Sequence, residues 1–135
     1  MSNNAVVTWS TDKNAIGVYL HWNGSLTSVE AFLKYCKLKG YREPDKDCYG
    51  LARFTQVVAN FFGGELSIGV DLVSKFGECD NGIYICKGWN IVSHKGRPAK
   101  EDEYSLEHFL YKINNNQPRN EQISKERIKC FINNK

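Results

Sequence analysis

The sequence predicts an α+β fold: a single domain in which an antiparallel sheet of about five short strands is packed by three or four helices. Three observations lead there. Five short runs rich in β-branched and aromatic residues are separated by polar or glycine-containing turns. Three longer segments, and a weaker fourth, carry apolar residues at i, i+3, i+4 and i+7. Their order along the chain, ββααβββαα, lacks the strand–helix alternation of a parallel sheet.

The first two strands form a hairpin. Ala5–Trp9 and Ala15–Trp22 flank the polar turn Thr11-Asp12-Lys13-Asn14. In the second strand Ile16, Val18, Leu20 and Trp22 alternate onto one face, which is assigned to the core. Asn23-Gly24-Ser25 breaks the strand, and Thr27-Ser28-Val29-Glu30 has the spacing of a capping box. Val29, Phe32, Leu33 and Cys36 then make the buried stripe of a first helix that stops at Gly40, with Lys34, Lys37 and Lys39 on its outer face.

Asp47 is placed to cap a second helix whose stripe is Leu51, Phe54, Val58, Phe61 and Phe62, ended by Gly63-Gly64. Three strands follow, at Leu66–Val70, Gly82–Cys86 and Asn90–His94, with turns at Asp80-Asn81-Gly82 and Lys87-Gly88. Asp102-Glu103-Tyr104-Ser105 opens a third helix with Leu106, Phe109, Leu110 and Ile113 at helical spacing. Pro118 separates this core domain, residues 1–118, from a basic C-terminal helix or tail, residues 119–135. Ile128, Phe131 and Ile132 share one side of that last segment, which would be stable only if docked. Trp22, Phe32, Leu33, Leu51, Phe54, Val58, Phe61, Ile83, Ile85, Phe109 and Leu110 are the expected core.

Composition bounds the function. The 135 residues are 41% hydrophobic, 13% aromatic and 24% charged, ordinary for a globular domain and far from collagen, coiled coil or disorder. No apolar run approaches the ~18 residues of a membrane span, and Met-Ser-Asn-Asn-Ala lacks the basic and apolar regions of a secretory signal. The net charge of +3 lies wholly in residues 119–135, too little for a dedicated nucleic-acid binder, so nucleic acid is not the favoured partner. The odd number of widely spaced cysteines, five in all, points to reduced thiols in a cytoplasm. No zinc-like Cys/His spacing occurs, and neither a metal nor another cofactor is expected.

Asp47-Cys48-Tyr49-Gly50 is the sharpest chemical signal, because a cysteine in the first helical turn has its thiolate favoured by the helix dipole. The stretch resembles the Asp-Cys-Ser-Gly motif of papain-like cell-wall peptidases of the NlpC family, and Gly82-Ile83-Tyr84-Ile85 resembles part of their histidine strand. In that family a histidine precedes the Gly-Ile-Tyr run; here Asp80-Asn81 stands there, leaving His94 as the only base. A thiol hydrolase using Cys48 and His94 is therefore one alternative. A second is a small-ligand or nucleotide-sequestering module with a pocket lined by Tyr19, His21, Asn60 and Asp71.

A broader resemblance is carried by Tyr19-Leu20-His21-Trp22-Asn23-Gly24, Phe32-Leu33-Lys34-Tyr35-Cys36, Tyr49-Gly50-Leu51-Ala52-Arg53, Asn60-Phe61-Phe62-Gly63-Gly64 and Asp80-Asn81-Gly82-Ile83-Tyr84. Together these blocks resemble a family of short proteins encoded by bacterial prophages and other mobile elements. The resemblance implies a non-enzymatic, cytoplasmic binding protein, most sharply an inhibitor of a bacterial defence system such as CRISPR. Its partner would be a host protein, met by exposed aromatics and by the basic residues Lys125, Arg127 and Lys129. A homodimer stays open as the oligomeric state.

Overall fold

A computed structural model describes residues 2–64 and 66–134. Strands β1 (Ala5–Thr8) and β2 (Ile16–Leu20) lead into helices α1 (Leu26–Leu38) and α2 (Cys48–Phe61). Strands β3 (Ile68–Leu72), β4 (Ile83–Lys87) and β5 (Asn90–Lys95) follow, then helices α3 (Leu106–Asn115) and α4 (Lys125–Asn133). The chain is the single α+β domain that the periodicity predicts.

The sheet has the order β3-β2-β1-β4-β5. Three of its pairings are antiparallel, but β1 and β4 run parallel, with Val6, Val7 and Thr8 opposite Ile83, Tyr84 and Ile85. The sheet is therefore mixed, mostly rather than wholly antiparallel. All four residues of β1 are buried, as in a strand with neighbours on both edges. The hairpin fills one edge, and β4 reaches the other only after the chain has run through α1, α2 and β3. Local turn signals mark hairpins and carry no information about such a crossover.

Alternation divides the sheet into two faces. Ala5, Val7, Val18, Leu20, Tyr84 and Cys86 point into the main core under the helices. There the α1 stripe, Val29, Phe32, Leu33 and Cys36, is at most 1% exposed. Val6, Thr8, Gly17, Tyr19 and Ile85 point the other way, and on that face the segment after β3 brings Val73 beside Gly17 and stacks Phe76 on Tyr19. That segment lies so close that a Cβ on Gly17 would stand 2.8 Å from Val6 Cγ1 and 3.0 Å from Val73 Cγ2.

Three local expectations change. Trp22 is 40% exposed rather than core, because β2 ends at Leu20 and the chain turns, with Asn23 at φ 59°, before the alternation reaches it. Leu51, Phe61 and Ile83 are half-buried, at the margins of the packed faces. The capping box does not form. The α1 N-cap is Ser25, whose side chain makes no cap bond. Instead Asp102 accepts from Thr27 N at 2.8 Å, Ser28 N at 3.1 Å and the Ser28 hydroxyl at 2.9 Å. A carboxylate brought from far along the chain thus satisfies the orphan N–H groups and meets the positive end of the helix dipole. Asp102 accordingly lies outside α3, which Ser105 caps by accepting from His108 N. Asp47 caps α2 as its position predicts, accepting from Tyr49 N and Gly50 N.

The C-terminal segment is docked. Ile128 is fully buried and Ile123 is 7% exposed, while Phe131 and Ile132 pack against the main core. The buried Asn114 side chain clasps the Ile123 backbone, donating to its carbonyl and accepting from its amide at 2.8 Å each, and also accepts from Tyr35 Oη at 2.7 Å.

Candidate functional site

The residues proposed for catalysis do not meet. Cys48 opens α2 on an exposed apolar strip with Leu51, Ala52, Thr55, Ala59 and Val70. Val70 belongs to β3, one edge of the sheet, whereas His94 belongs to β5, the opposite edge. His94 Nε2 is 2.7 Å from the Asn81 carbonyl, to which it donates, and its ring packs edge-on against Tyr84. Cys48, at the start of a helix, and His94, on an edge strand with its Nε2 already bonded to Asn81 O, make no hydrogen bond to each other, so the Cys48–His94 pair is corrected: nucleophile and base are not brought together.

The four residues assigned to a ligand pocket also part. Tyr19 and His21 do join, with Tyr19 Oη 2.9 Å from His21 Nδ1 and 3.1 Å from Asn4 Nδ2, which donates to it. Tyr19 stacks on Phe76, and His21 meets Trp22 edge-on. Asp71 stands two register positions along the sheet and accepts from Leu72 N. Asn60 lies on α2, in the layer over the other face, where it donates to Gln117 Oε1 at 3.0 Å. Gln117 in turn donates to Val57 O, so Asn60 ties α2 to the end of α3 and does not face Tyr19.

The basic residues of the tail divide between two flanks of α4. Lys125 and Lys129, four residues apart, share one exposed flank. Arg127 turns to the other, where its guanidinium donates to Leu38 O at the end of α1. There α1 and α4 enclose an open groove of about 630 Å³ lined by Lys34, Lys37, Leu38, Arg127, Cys130 and Phe131. Its floor is apolar and its rim cationic. Lys34 and Lys37, read from sequence as a solvated outer face, are part of this rim; Lys34 also donates to Asn90 Oδ1.

A second concavity, of about 380 Å³, is lined by Gly40, Tyr41, Arg42, Tyr49 and Arg53. Sequence reasoning missed it. Tyr49 and Arg53 stand four apart on α2, the one legible signal, but the loop that completes the site reaches them only through tertiary contacts. Trp89 Nε1 donates to Tyr41 O at 3.0 Å, and the Asp45 carboxylate accepts from Gly88 N, pinning this loop to the β4–β5 turn. Gly50 is buried because the backbone of residues 42–44 occupies the space a side chain would need. That approach lays the Arg42 guanidinium over the Tyr49 ring, 5.3 Å from its centre. Tyr41 donates to Glu121 at 3.4 Å, and burial, followed by the charge of Glu121, pushes its phenol above the ordinary range.

All five cysteines are free. Burial pushes the Cys36 and Cys79 thiols up and the Cys86 thiol up to about 12. Only Cys48 and Cys130 are exposed. Iodoacetamide at pH 8 should therefore modify two thiols of the native protein, and all five only after denaturation. Mass spectrometry showing rapid native labelling of Cys36 or Cys86 would contradict the packing. Among the described residues no three His, Cys, Asp or Glu side chains converge as metal ligands would, and no helix is long and apolar enough to cross a membrane. No protein-family model matches the chain, and no curated protein and no solved structure is significantly similar to it.

Proposed function

We propose that the protein is a non-enzymatic binding module of mobile-element origin that seizes a host protein, acting as an inhibitor of a bacterial defence system such as CRISPR. The observation that carries this reading is the α1–α4 groove. Leu38 and Phe131 offer an apolar floor, and Lys34, Lys37 and Arg127 surround it with positive charge. Its complement is an acidic segment of the partner bearing an apolar anchor, since opposite potentials steer and register such interfaces while buried apolar contacts hold them. The five unbridged thiols suit action in the cytoplasm.

The test is a plasmid-interference assay in bacteria carrying a defined CRISPR or restriction system. Co-expression of the protein should restore transformation by a targeted plasmid. Lys37→Glu, a change at an exposed position, should abolish the protection, and the purified protein should retain the targeted effector in a salt-sensitive way. Failure to protect against any system, with no salt-sensitive retention of its components, would overturn the reading.

A further inference from the structure

The Tyr41–Arg42–Tyr49–Arg53 concavity shares no lining residue with the α1–α4 groove, and it has a different chemistry. We infer that it is a binding site for a nucleoside monophosphate, a planar heteroaromatic base carrying a single phosphate.

Four observations combine. The cavity, about 380 Å³, falls within the size range of small-molecule sites. Tyr49 is 57% exposed although Arg42 lies over one face of its ring, which leaves the other face for a base to stack on. Arg42 and Arg53 both line the same space, and guanidinium groups take phosphate oxygens through paired N–H donors. The charge balance limits the anion. Arg42 is 3.2 Å from Asp47, whose other oxygen caps α2, while Arg53 donates to Gln56 and has no carboxylate at ion-pair distance among the described residues. The Glu121 carboxylate bonded to Tyr41 is itself paired with Lys39 at 3.5 Å, so two arginines against Asp47 leave a surplus of one positive charge, which suits one phosphate and not a triphosphate chain. Asp47 cannot leave, because Tyr49 N and Gly50 N hold it at the helix start.

The frame is also preorganised. The loop carrying Tyr41 and Arg42 is fixed at the Trp89 and Gly88 contacts, and the Arg42 guanidinium already lies 5.3 Å from the centre of the Tyr49 ring. A ligand therefore needs to order little more than the ends of two arginine side chains.

Calorimetric titration of the full chain with adenosine and uridine monophosphates tests the assignment, with adenosine, inorganic phosphate, adenosine triphosphate and a phosphotyrosine peptide as separate probes. Saturable binding of a monophosphate is expected, with nucleoside alone and phosphate alone each at least about tenfold weaker, and the triphosphate no tighter than the monophosphate. Tyr49→Ala and Arg53→Ala should each weaken binding about tenfold without moving the melting temperature, since both side chains are exposed. Tyr49→Phe should bind as the wild type does. Four results would overturn the inference: no saturable binding of either monophosphate at millimolar concentration, binding of phosphate alone as tight as that of the nucleotide, indifference to Tyr49→Ala, or tighter binding of a phosphotyrosine peptide. Loss of plasmid protection by Lys37→Glu leaves this test untouched, so the two proposals stand or fall separately.

Discussion

Deleting residues 119–135 should lower the melting temperature by about 15 °C. The segment contributes Ile128, fully buried, and Ile123, 7% exposed. Burial of each isoleucine is worth about 1.5–3 kcal/mol. Truncation also leaves the Asn114 amide, itself 3% exposed, without the Ile123 backbone that satisfies it. The total, about 5 kcal/mol, is a third or more of the stability of an ordinary domain and corresponds to about 15 °C at this chain length. Where the truncated chain fails to fold, Ile128→Ala isolates the packing contribution, with an expected loss of about 2–5 kcal/mol. Unchanged thermal denaturation of both variants would show that α4 is not docked in solution.

Asn81→Ala should cost about 3 kcal/mol, or about 10 °C, although it removes only a small polar side chain. Asn81 is 0% exposed. Its Nδ2 donates to Asn3 Oδ1 at 2.7 Å and Asn4 O at 3.1 Å, and its Oδ1 accepts from Lys100 N at 2.8 Å. It therefore joins the chain leading into β1, the turn before β4 and the strap that carries Asp102 to α1. Removing it leaves buried donors and acceptors unpaired, each at a cost beyond that of the lost bond.

Asn81→Asp gives a sharper test, because the introduced carboxylate would face the two oxygens that Nδ2 now serves. Folding would then favour its protonated form, raising its pKa above the unfolded value of ~3.9. Stability would be greatest below that value and lost as pH rises through the higher folded pKa, so this variant should melt higher at pH 4 than at pH 7 relative to wild type. Urea denaturation at the two pH values measures the difference.

The parts of this molecule that local physics governs are legible in the sequence. Val29, Phe32, Leu33 and Cys36 recur at helical spacing and are all buried on α1. Asp47 before an apolar stripe has one suitable role, and it caps α2. Ile128 among charged neighbours predicts a docked amphipathic segment, and its side chain is fully buried. Each of these follows from interactions within a turn or two of chain, where spacing alone fixes which side chains share a face.

What depends on distant partners had to come from the tertiary structure. Thr27 and Glu30 have the spacing of a capping box, but Asp102 supplies the carboxylate from across the fold. The parallel β1–β4 pairing follows from strand order, and the parting of Cys48 from His94 and of Asn60 from Tyr19 from where α2 lies on the sheet; no local signal encodes either. The Tyr–Arg concavity shows both sides of this division. Tyr49 and Arg53 are visible as neighbours on one helical face, whereas Arg42 reaches them only because Gly50 leaves room for the loop backbone. A sequence specifies such meetings through the free energy of the whole packed chain, and spacing along the chain reports only the contacts that a helix or strand makes with itself.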